Sequence, residues 1–305
     1  MTALVAVVGP TASGKTALAL ALANRLDTEI ISADSMQVYR GMEIGTSAPT
    51  AEEQAQVRHH FIGVRDPGEI FSAGEFERSS RAVVKELNAR GKIAVVVGGS
   101  GLYVSALIDG LFDGPGKDGV IRERLQHEAE TAGVGKLYAR LEAVDPDYSA
   151  IISPTDLRRI TRALEVHELT GQPISRLHRD HREQTESLDA VQVALDYPRD
   201  VLYARINARV DDMIRRGFVA EVERLLAAGH ERHLMQIKSL GYREIISYLH
   251  GTQSLEEAVA LMKRNTRRYA KRQLTWFRGD PRIRSVKVEP GVDLDSIAED
   301  ILATL

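Results

Sequence analysis

Cysteine is absent from the 305 residues. That excludes disulfides, iron–sulfur clusters and thiolate zinc sites, and it fits a cytoplasmic protein. No window holds about 18 consecutive apolar residues, so no membrane partner is expected. The opening MTALVAVVGP carries too short an apolar run, and no basic leader, for a signal peptide. An excess of one charge is missing too: Lys and Arg number 40 against 43 Asp and Glu, a net −3. This argues against a protein that coats nucleic acid with its whole surface, and it leaves room for a local basic face. What the chain does have is a hydrophobic fraction of 43%, enough for a sizeable core in one large domain or two modest ones.

Apolar runs and helical stretches alternate. LVAVV (Leu4 to Val8) reads as a strand buried on both faces. TALALALANRL follows and is rich in helix formers. EIISAD (Glu29 to Asp34) and KIAVVV read as further strands. Between them FSAGEFERSSRAVVKELNARG predicts a helix stopped by Gly91. Past Leu111 the pattern changes. FDGPGKDG is a hinge candidate, and Val120 to about Arg182 shows helical periodicity only. Strand chemistry returns at VQVALDYP (Val191 to Pro198) and at IRSVKV. The expected fold class is α/β: a P-loop NTPase-like core with a parallel sheet flanked by helices, plus a helical insertion domain. The core takes residues 1–110 and 188–305, the insertion 111–187.

Gly9, Pro10, Thr11, Ala12, Ser13, Gly14, Lys15 and Thr16 spell GPTASGKT, which satisfies G-x-x-x-x-G-K-[ST] between a buried strand and a helix. The glycines let backbone N–H groups converge on a phosphate, and the helix N-terminus adds partial positive charge. Lys15 neutralises a terminal phosphate, and the Thr16 hydroxyl suits a Mg²⁺ ion. The motif specifies a di- or triphosphate without saying which. P-loop ATPases hold Mg²⁺ with an aspartate ending another apolar strand, whereas IAVVV ends in Gly98 and Gly99. Asp196, ending VALD, lies far along the chain.

Asp34 ends the second strand and should face the same crevice, because ligands gather at the carboxyl ends of parallel strands. A carboxylate beside a phosphate suits a metal relay or a general base; a strand-end aspartate also commonly caps the turn that follows. GGSGLY (Gly98 to Tyr103) fails the dinucleotide fingerprint, since Val104 stands where a third glycine is needed. Its bare backbone suits close approach of a ligand or a plain strand–helix turn.

Two basic stripes stand out. Arg158, Arg159 and Arg162 lie on one helical stretch whose buried face is marked by Leu157, Ile160 and Leu164. Arg264, Arg268 and Arg272 fall at i, i+4, i+8, flanked by Arg267 and Lys271. Acidic partners at helical spacing are scarce in the second, which suits a nucleic-acid backbone better than mutual salt bridging. His178 and His181, three apart, read as surface histidines rather than a metal pair. On these grounds three functions compete: group transfer to RNA, a small-molecule kinase with Asp34 as base, and a nucleotide-switched RNA-binding protein.

Taken together, GPTASGKT, ADSMQVYRGMEIGT, HHFIGVRDPGEIFSAGEF, VVVGGSGLY, RRITRALEVHELTG, INARVDDMIRRGFVAEV, SLGYREIISYL and NTRRYAKRQLTWFR closely resemble the bacterial tRNA dimethylallyltransferases, from residue 9 to residue 278. The resemblance implies transfer of a dimethylallyl group from dimethylallyl pyrophosphate to N6 of adenosine 37 in tRNA. The phosphate loop would then grip the donor's diphosphate with Mg²⁺, and Asp34 would take the amine's proton. It assigns Arg209 to pyrophosphate. It assigns tRNA contacts to Asp34, Ser35, Met36 and Gln37, to Ser100 in place of the usual threonine, and to Arg122. Further contacts fall on Arg158, Arg159, Ile160, Thr161 and Arg162, on Lys238, Ser239, Leu240, Gly241, Tyr242 and Arg243, and on Lys271 and Arg272. The insertion would clasp the anticodon stem-loop, with no obligate protein partner. GMEIGTSAPT departs from the family's pattern, with Glu43 for aspartate and Ala48 for lysine.

Overall fold

Six short strands assemble into one parallel sheet in a computed structural model that describes residues 2–112, 114–237, 239–288 and 292–305. The strands are β1 (Leu4–Val8), β2 (Ile30–Ser32), β3 (His59–His60), β4 (Ala94–Gly98), β5 (Ala190–Asp196) and β6 (Ile283–Lys287). Their order is β3-β2-β4-β1-β5-β6, and every neighbouring pair is parallel. β1 is fully buried because it lies inside the sheet with cover on both faces. Leu4, Ala6 and Val8 enter one core together with Val96 and Phe76. Val5 and Val7 enter the other, with Leu18, Leu22, Val95 and Ile297. Each of the larger of these side chains contributes about 1.5–3 kcal/mol through burial.

The helix Lys15–Arg25 is apolar almost all round, and both sides are used: Leu18, Ala19, Leu20, Leu22 and Ala23 are buried. One side meets the sheet and the other meets the terminal helix Leu294–Leu302, whose Ile297, Ala298 and Ile301 share that core. The helix Ala73–Ala89 starts at the Ser72 cap, and Gly91, at φ 72°, closes its C-terminal end. β2 is shorter than the run Glu29 to Asp34 suggests. Ala33 N–H still donates to Val97 C=O, but Asp34 already belongs to a turn. β3 has only two residues and carries no periodicity that sequence could reveal.

Val8, at the end of β1, pairs in register with Gly98 of β4 and Ala194 of β5. The phosphate-loop sequence therefore leaves the sheet between two other strand ends, where the chain's connections switch sides. The chain divides into two compact units, Met1–Ile108 with Leu188–Leu305, and Asp109–Ser187. Leu188 N–H donates to Ile108 C=O at 2.9 Å, tying the two chain segments of the first unit together.

The second unit has no strand among its described residues and is built of the helices Gly119–Ala132, Val134–Val144, Pro146–Ser149, Leu157–Thr170 and Ile174–Gln184. It has a core of its own, including Leu125, Leu137, Leu141, Ile160 and Leu164. Glu165 is buried there without exposed area. It accepts two bonds from Arg122 (2.7 and 2.8 Å), one from Arg162 (2.7 Å) and one from Asp118 N–H (2.8 Å). Burial would raise this carboxyl; the hydrogen bonds from Arg122, Arg162 and Asp118 N–H, with the charge of Arg122, overcome it and hold the group at about 2. Asp113, within FDGPGKDG, lies outside the described residues.

Candidate active site

The loop between β1 and the helix Lys15–Arg25 turns through left-handed backbone at Gly9 (φ 128°), Ala12 (φ 65°) and Gly14 (φ 89°). Ala12 lacks glycine's freedom, so its neighbours must hold it. Arg205 Nε donates to Ala12 C=O at 2.8 Å, and Thr11 N–H donates to Gln273 Oε1 at 3.0 Å. Ser13 is fully buried and donates to Pro10 C=O at 2.9 Å; Lys15 Nζ donates to the same carbonyl at 2.6 Å. Gly14 offers the helix no side-chain cap, and the first turn carries no acid. The leading N–H groups are thus left to an anion.

Three cations surround this loop. Lys15 keeps some exposed area, yet its ammonium is surrounded by protein. Burial, joined by repulsion from Arg209 and opposed by Asp34, lowers its pKa to about 7. Burial likewise pushes Arg209 down, against the pull of Asp34 and with repulsion from Arg216 and Arg205. Arginine stays charged at neutral pH all the same. Arg209 Nε donates to Ser47 Oγ at 2.8 Å, which fixes its direction, and Arg205 lies over the Tyr197 ring at 4.9 Å. One carboxylate against three cations leaves a positive excess that suits a diphosphate.

Asp34 Oδ1 accepts from Met36 N–H at 2.9 Å, so the turn-capping contact is made. Its other oxygen has no hydrogen bond among the described residues, and the charge is felt at Lys15, Arg209, Tyr103 and Tyr269. Ser100 fixes the neighbouring backbone: its Oγ accepts from Ser35 N–H at 3.1 Å, and its N–H donates to Ala33 C=O at 3.2 Å. Gln37 turns inward, accepting from Ser32 Oγ and donating to the carbonyls of Thr46 and Ser47.

The glycines of GGSGLY make room for the protein's own parts. A Cβ on Gly98 would sit 2.1 Å from Ala33 O, one on Gly99 2.2 Å from Gln273 Nε2, and one on Gly101 2.1 Å from Trp276 Nε1. Both of the last two partners stand on the long helix Leu255–Arg278. Beside the phosphate loop lies a cavity that is partly open to solvent. Thr11, Ser47, Arg209 and Thr266 line its polar part; Ile206, Val210, Met213, Leu240 and Met262 line the apolar part.

The basic positions differ in what they can offer. Arg158 is exposed, with no ion pair among the described residues, while Arg159 pairs with Asp156 at 3.4 Å. Arg122 and Arg162 are engaged by Glu165. Thr161 is half-buried. Ile160 is fully buried in the core of the helical unit, where its side chain packs. Tyr242 packs inward as well. It is fully buried, and its hydroxyl donates to Glu221 at 2.8 Å and to Met42 C=O at 3.1 Å. Lys238 lies outside the described residues.

Ser239 is buried, and Leu240 lines the cavity. Gly241, at φ 93°, starts the helix Tyr242–Leu249, and Arg243 donates to Met235 C=O. On the long helix Arg264, Arg268 and Lys271 have no ion pair among the described residues, and Arg272 lies over Tyr269 at 5.6 Å. Arg278 takes Asp196 at 3.2 Å. His178 packs edge-on against Phe112 and Tyr148, and no group of three metal-capable side chains occurs among the described residues. No described helix is long and apolar enough to cross a membrane.

A family model described as IPP transferase matches residues 37–280. A protein named tRNA dimethylallyltransferase from Geobacter sulfurreducens is 47% identical over 292 residues, covering 96% of this chain and 94% of its own. One of the same name from Syntrophobacter fumaroxidans is 49% identical over 281 residues, covering 92% and 82%. Among solved structures, the tRNA isopentenylpyrophosphate transferase of Bacillus halodurans superposes with a TM-score of 0.70 at 41% identity, over 98% of this chain and 95% of that one. A eukaryotic dimethylallyltransferase acting on tRNA gives 0.81 at 26% identity, over 99% and 79%.

Proposed function

This chain belongs to the IPP transferase family, the tRNA dimethylallyltransferases that transfer a dimethylallyl group to adenosine 37 of tRNA, and we propose how its residues carry that reaction. The donor is dimethylallyl pyrophosphate. Its diphosphate lies along the loop Gly9 to Thr16, neutralised by Lys15 and Arg209, and its five-carbon group enters the apolar part of the adjoining cavity. The observation that carries this reading is that cavity's two-sided lining: Arg209 and Thr11 meet Ile206, Val210 and Met262 in one pocket beside the loop.

In the reaction a bond forms between adenine N6 and the donor's C1, and the C1–oxygen bond to diphosphate breaks. Lys15, Arg209 and the leading helix amides stabilise charge on the departing diphosphate. The exocyclic amine is a weak nucleophile because its lone pair is delocalised into the ring. Asp34, with one oxygen unengaged, accepts the N6 proton as the new bond forms. Reaching the site requires the base to leave its stack.

Pyrophosphate donors of this kind take a divalent metal, and Mg²⁺ fits the donor set here. The Thr16 hydroxyl makes no hydrogen bond among the described residues, and no group of three metal-capable side chains occurs among them. A metal held mainly by diphosphate oxygens and water suits that supply. When bound, Mg²⁺ neutralises charge on the diphosphate. Exposed Arg158, Arg264, Arg268 and Lys271 support contacts to tRNA phosphates. A tRNA substrate and a cysteine-free chain support a cytoplasmic location. The test incubates the protein with unmodified tRNA, dimethylallyl pyrophosphate and Mg²⁺. The reading expects a prenyl mass increment on adenosine 37; an increment only with a different donor would overturn the donor assignment.

A further inference from the structure

Gln273 occupies a position that the reaction above leaves unexplained. It stands on the helix Leu255–Arg278 among exposed basic residues, yet it is itself buried, at 7% exposure. Its side-chain amide does two things at once. Oε1 accepts from Thr11 N–H of the phosphate loop at 3.0 Å, and Nε2 donates to Gly99 C=O of the glycine-rich turn at 2.9 Å. Only this orientation of the amide satisfies both partners.

Each end leads to one substrate. Thr11 precedes Ala12, the residue held in left-handed backbone at the apex of the loop. Ala12 also shares a small buried cluster with Ala270, one helical turn before Gln273. Gly99 precedes Ser100, whose N–H and Oγ hold Ala33 and Ser35, the two neighbours of Asp34. The chain of contacts thus runs from the diphosphate loop through Gln273 to the carboxylate's own backbone. Gly99 has no side chain because a Cβ there would strike the Gln273 amide at 2.2 Å.

We propose that Gln273 is a positioning residue that sets the spacing between the donor's diphosphate and the Asp34 carboxylate, through its paired hydrogen bonds to Thr11 and Gly99. It touches neither substrate. The inference rests on the assignment of donor to the loop and base to Asp34. Group transfer needs the reacting atoms within a narrow distance, and a misplacement of about 1 Å costs on the order of 100-fold in rate. A residue fixing both sides has that leverage, whereas the exposed cations of the same helix act on tRNA affinity.

The test compares Gln273→Met, which keeps the volume and loses both bonds, with Gln273→Glu, which accepts from Thr11 but cannot donate to Gly99. Single-turnover prenyl transfer is measured at saturating tRNA and donor, beside tRNA binding and thermal melting. Both variants should bind tRNA within about 3-fold of wild type and transfer on the order of 100-fold more slowly. Gly99→Ala, which disturbs the same junction from the opposite side, should show the same split, and combining it with Gln273→Met should cost less than the product of the two. A folded variant that transfers at the wild-type rate, or whose loss follows its loss of tRNA affinity, would overturn the proposal. Wild-type protein in the same assay separates the two readings: if it fails to prenylate tRNA, the donor and base assignments fail, whatever Gln273 does.

Discussion

Arg209 acts on Lys15 as one cation on another across the phosphate loop, and the Asp34 carboxylate draws on both. The loop is therefore an unfavourable arrangement by itself and a favourable one around a diphosphate. With Lys15 lowered to about 7 from an ordinary 10.5, the folded protein loses this proton at a pH where the unfolded chain still holds it. Stability should thus rise as pH climbs from about 7 towards 10.5. Anion binding should restore the proton.

Pyrophosphate binding should accordingly take up a proton above pH 7 and weaken as pH rises from 7 to 9. Titration calorimetry in buffers of different ionisation heat measures the uptake. Lys15→Arg, charged throughout, serves as the reference that cancels the ligand's own titration. Equal pH slopes for the two proteins would contradict the lysine's lowered pKa.

Arg209→Met should raise the KM for donor by about tenfold or more, since a charged hydrogen-bonding partner of a phosphate contributes about 1.5–3 kcal/mol. It should also move the pH dependence of pyrophosphate binding upward, because the repulsion on Lys15 is gone. Ser47→Ala, which frees the arginine's direction without removing its charge, should raise the KM more mildly and leave the pH dependence in place. Steady-state kinetics against pH distinguish the two.

Gly45→Ala should destabilise the α/β unit. A Cβ there would sit 2.4 Å from Phe218 and from the Tyr242 hydroxyl. The same spot is fixed by Glu221, which accepts from Ile44 and Gly45 N–H at 2.7 and 2.9 Å. Overpacking of this kind costs about 1–3 kcal/mol, visible as a fall in Tm of several degrees. An unchanged melting curve would show that the pocket yields.

Glu165→Gln should loosen the helical unit by about 2 kcal/mol. That is below the usual cost of breaking a buried pair, because Arg122 and Arg162 keep 35% and 31% of their side-chain area exposed. The wild-type carboxyl is lowered to about 2. Its contribution is present above the ordinary glutamate pKa of 4.5 and is lost as pH falls from there to about 2. Denaturant titration of both proteins at pH 7 and pH 3 should show the gap closing at the lower value.

What the sequence reveals follows from how local each signal is. β1 and β4 are continuous apolar runs, β5 is one interrupted by Gln192, and all three become strands at nearly the positions they suggest. The phosphate loop is legible because eight consecutive residues make it. Gln273, Arg205 and Ser47 were missed, since their partners lie 262, 193 and 162 residues away. Arg205 alone left a trace, standing one helical turn before Arg209. GGSG showed that bare backbone was needed and not what approached it; Gln273 and Trp276 do. Ile160 and Tyr242 sit inside motifs that read as RNA-facing, but a helical motif has an inner face as well as an outer one.

The central claim is that Asp34 accepts the adenine proton while the glycine-rich loop holds the donor. Single-turnover prenyl transfer by Asp34→Asn, with tRNA and dimethylallyl pyrophosphate both saturating, tests it most directly. Asparagine keeps the acceptor for Met36 N–H and removes the base. The account predicts unchanged tRNA binding and a rate lower by on the order of 10²–10⁴-fold; transfer at the wild-type rate would contradict it.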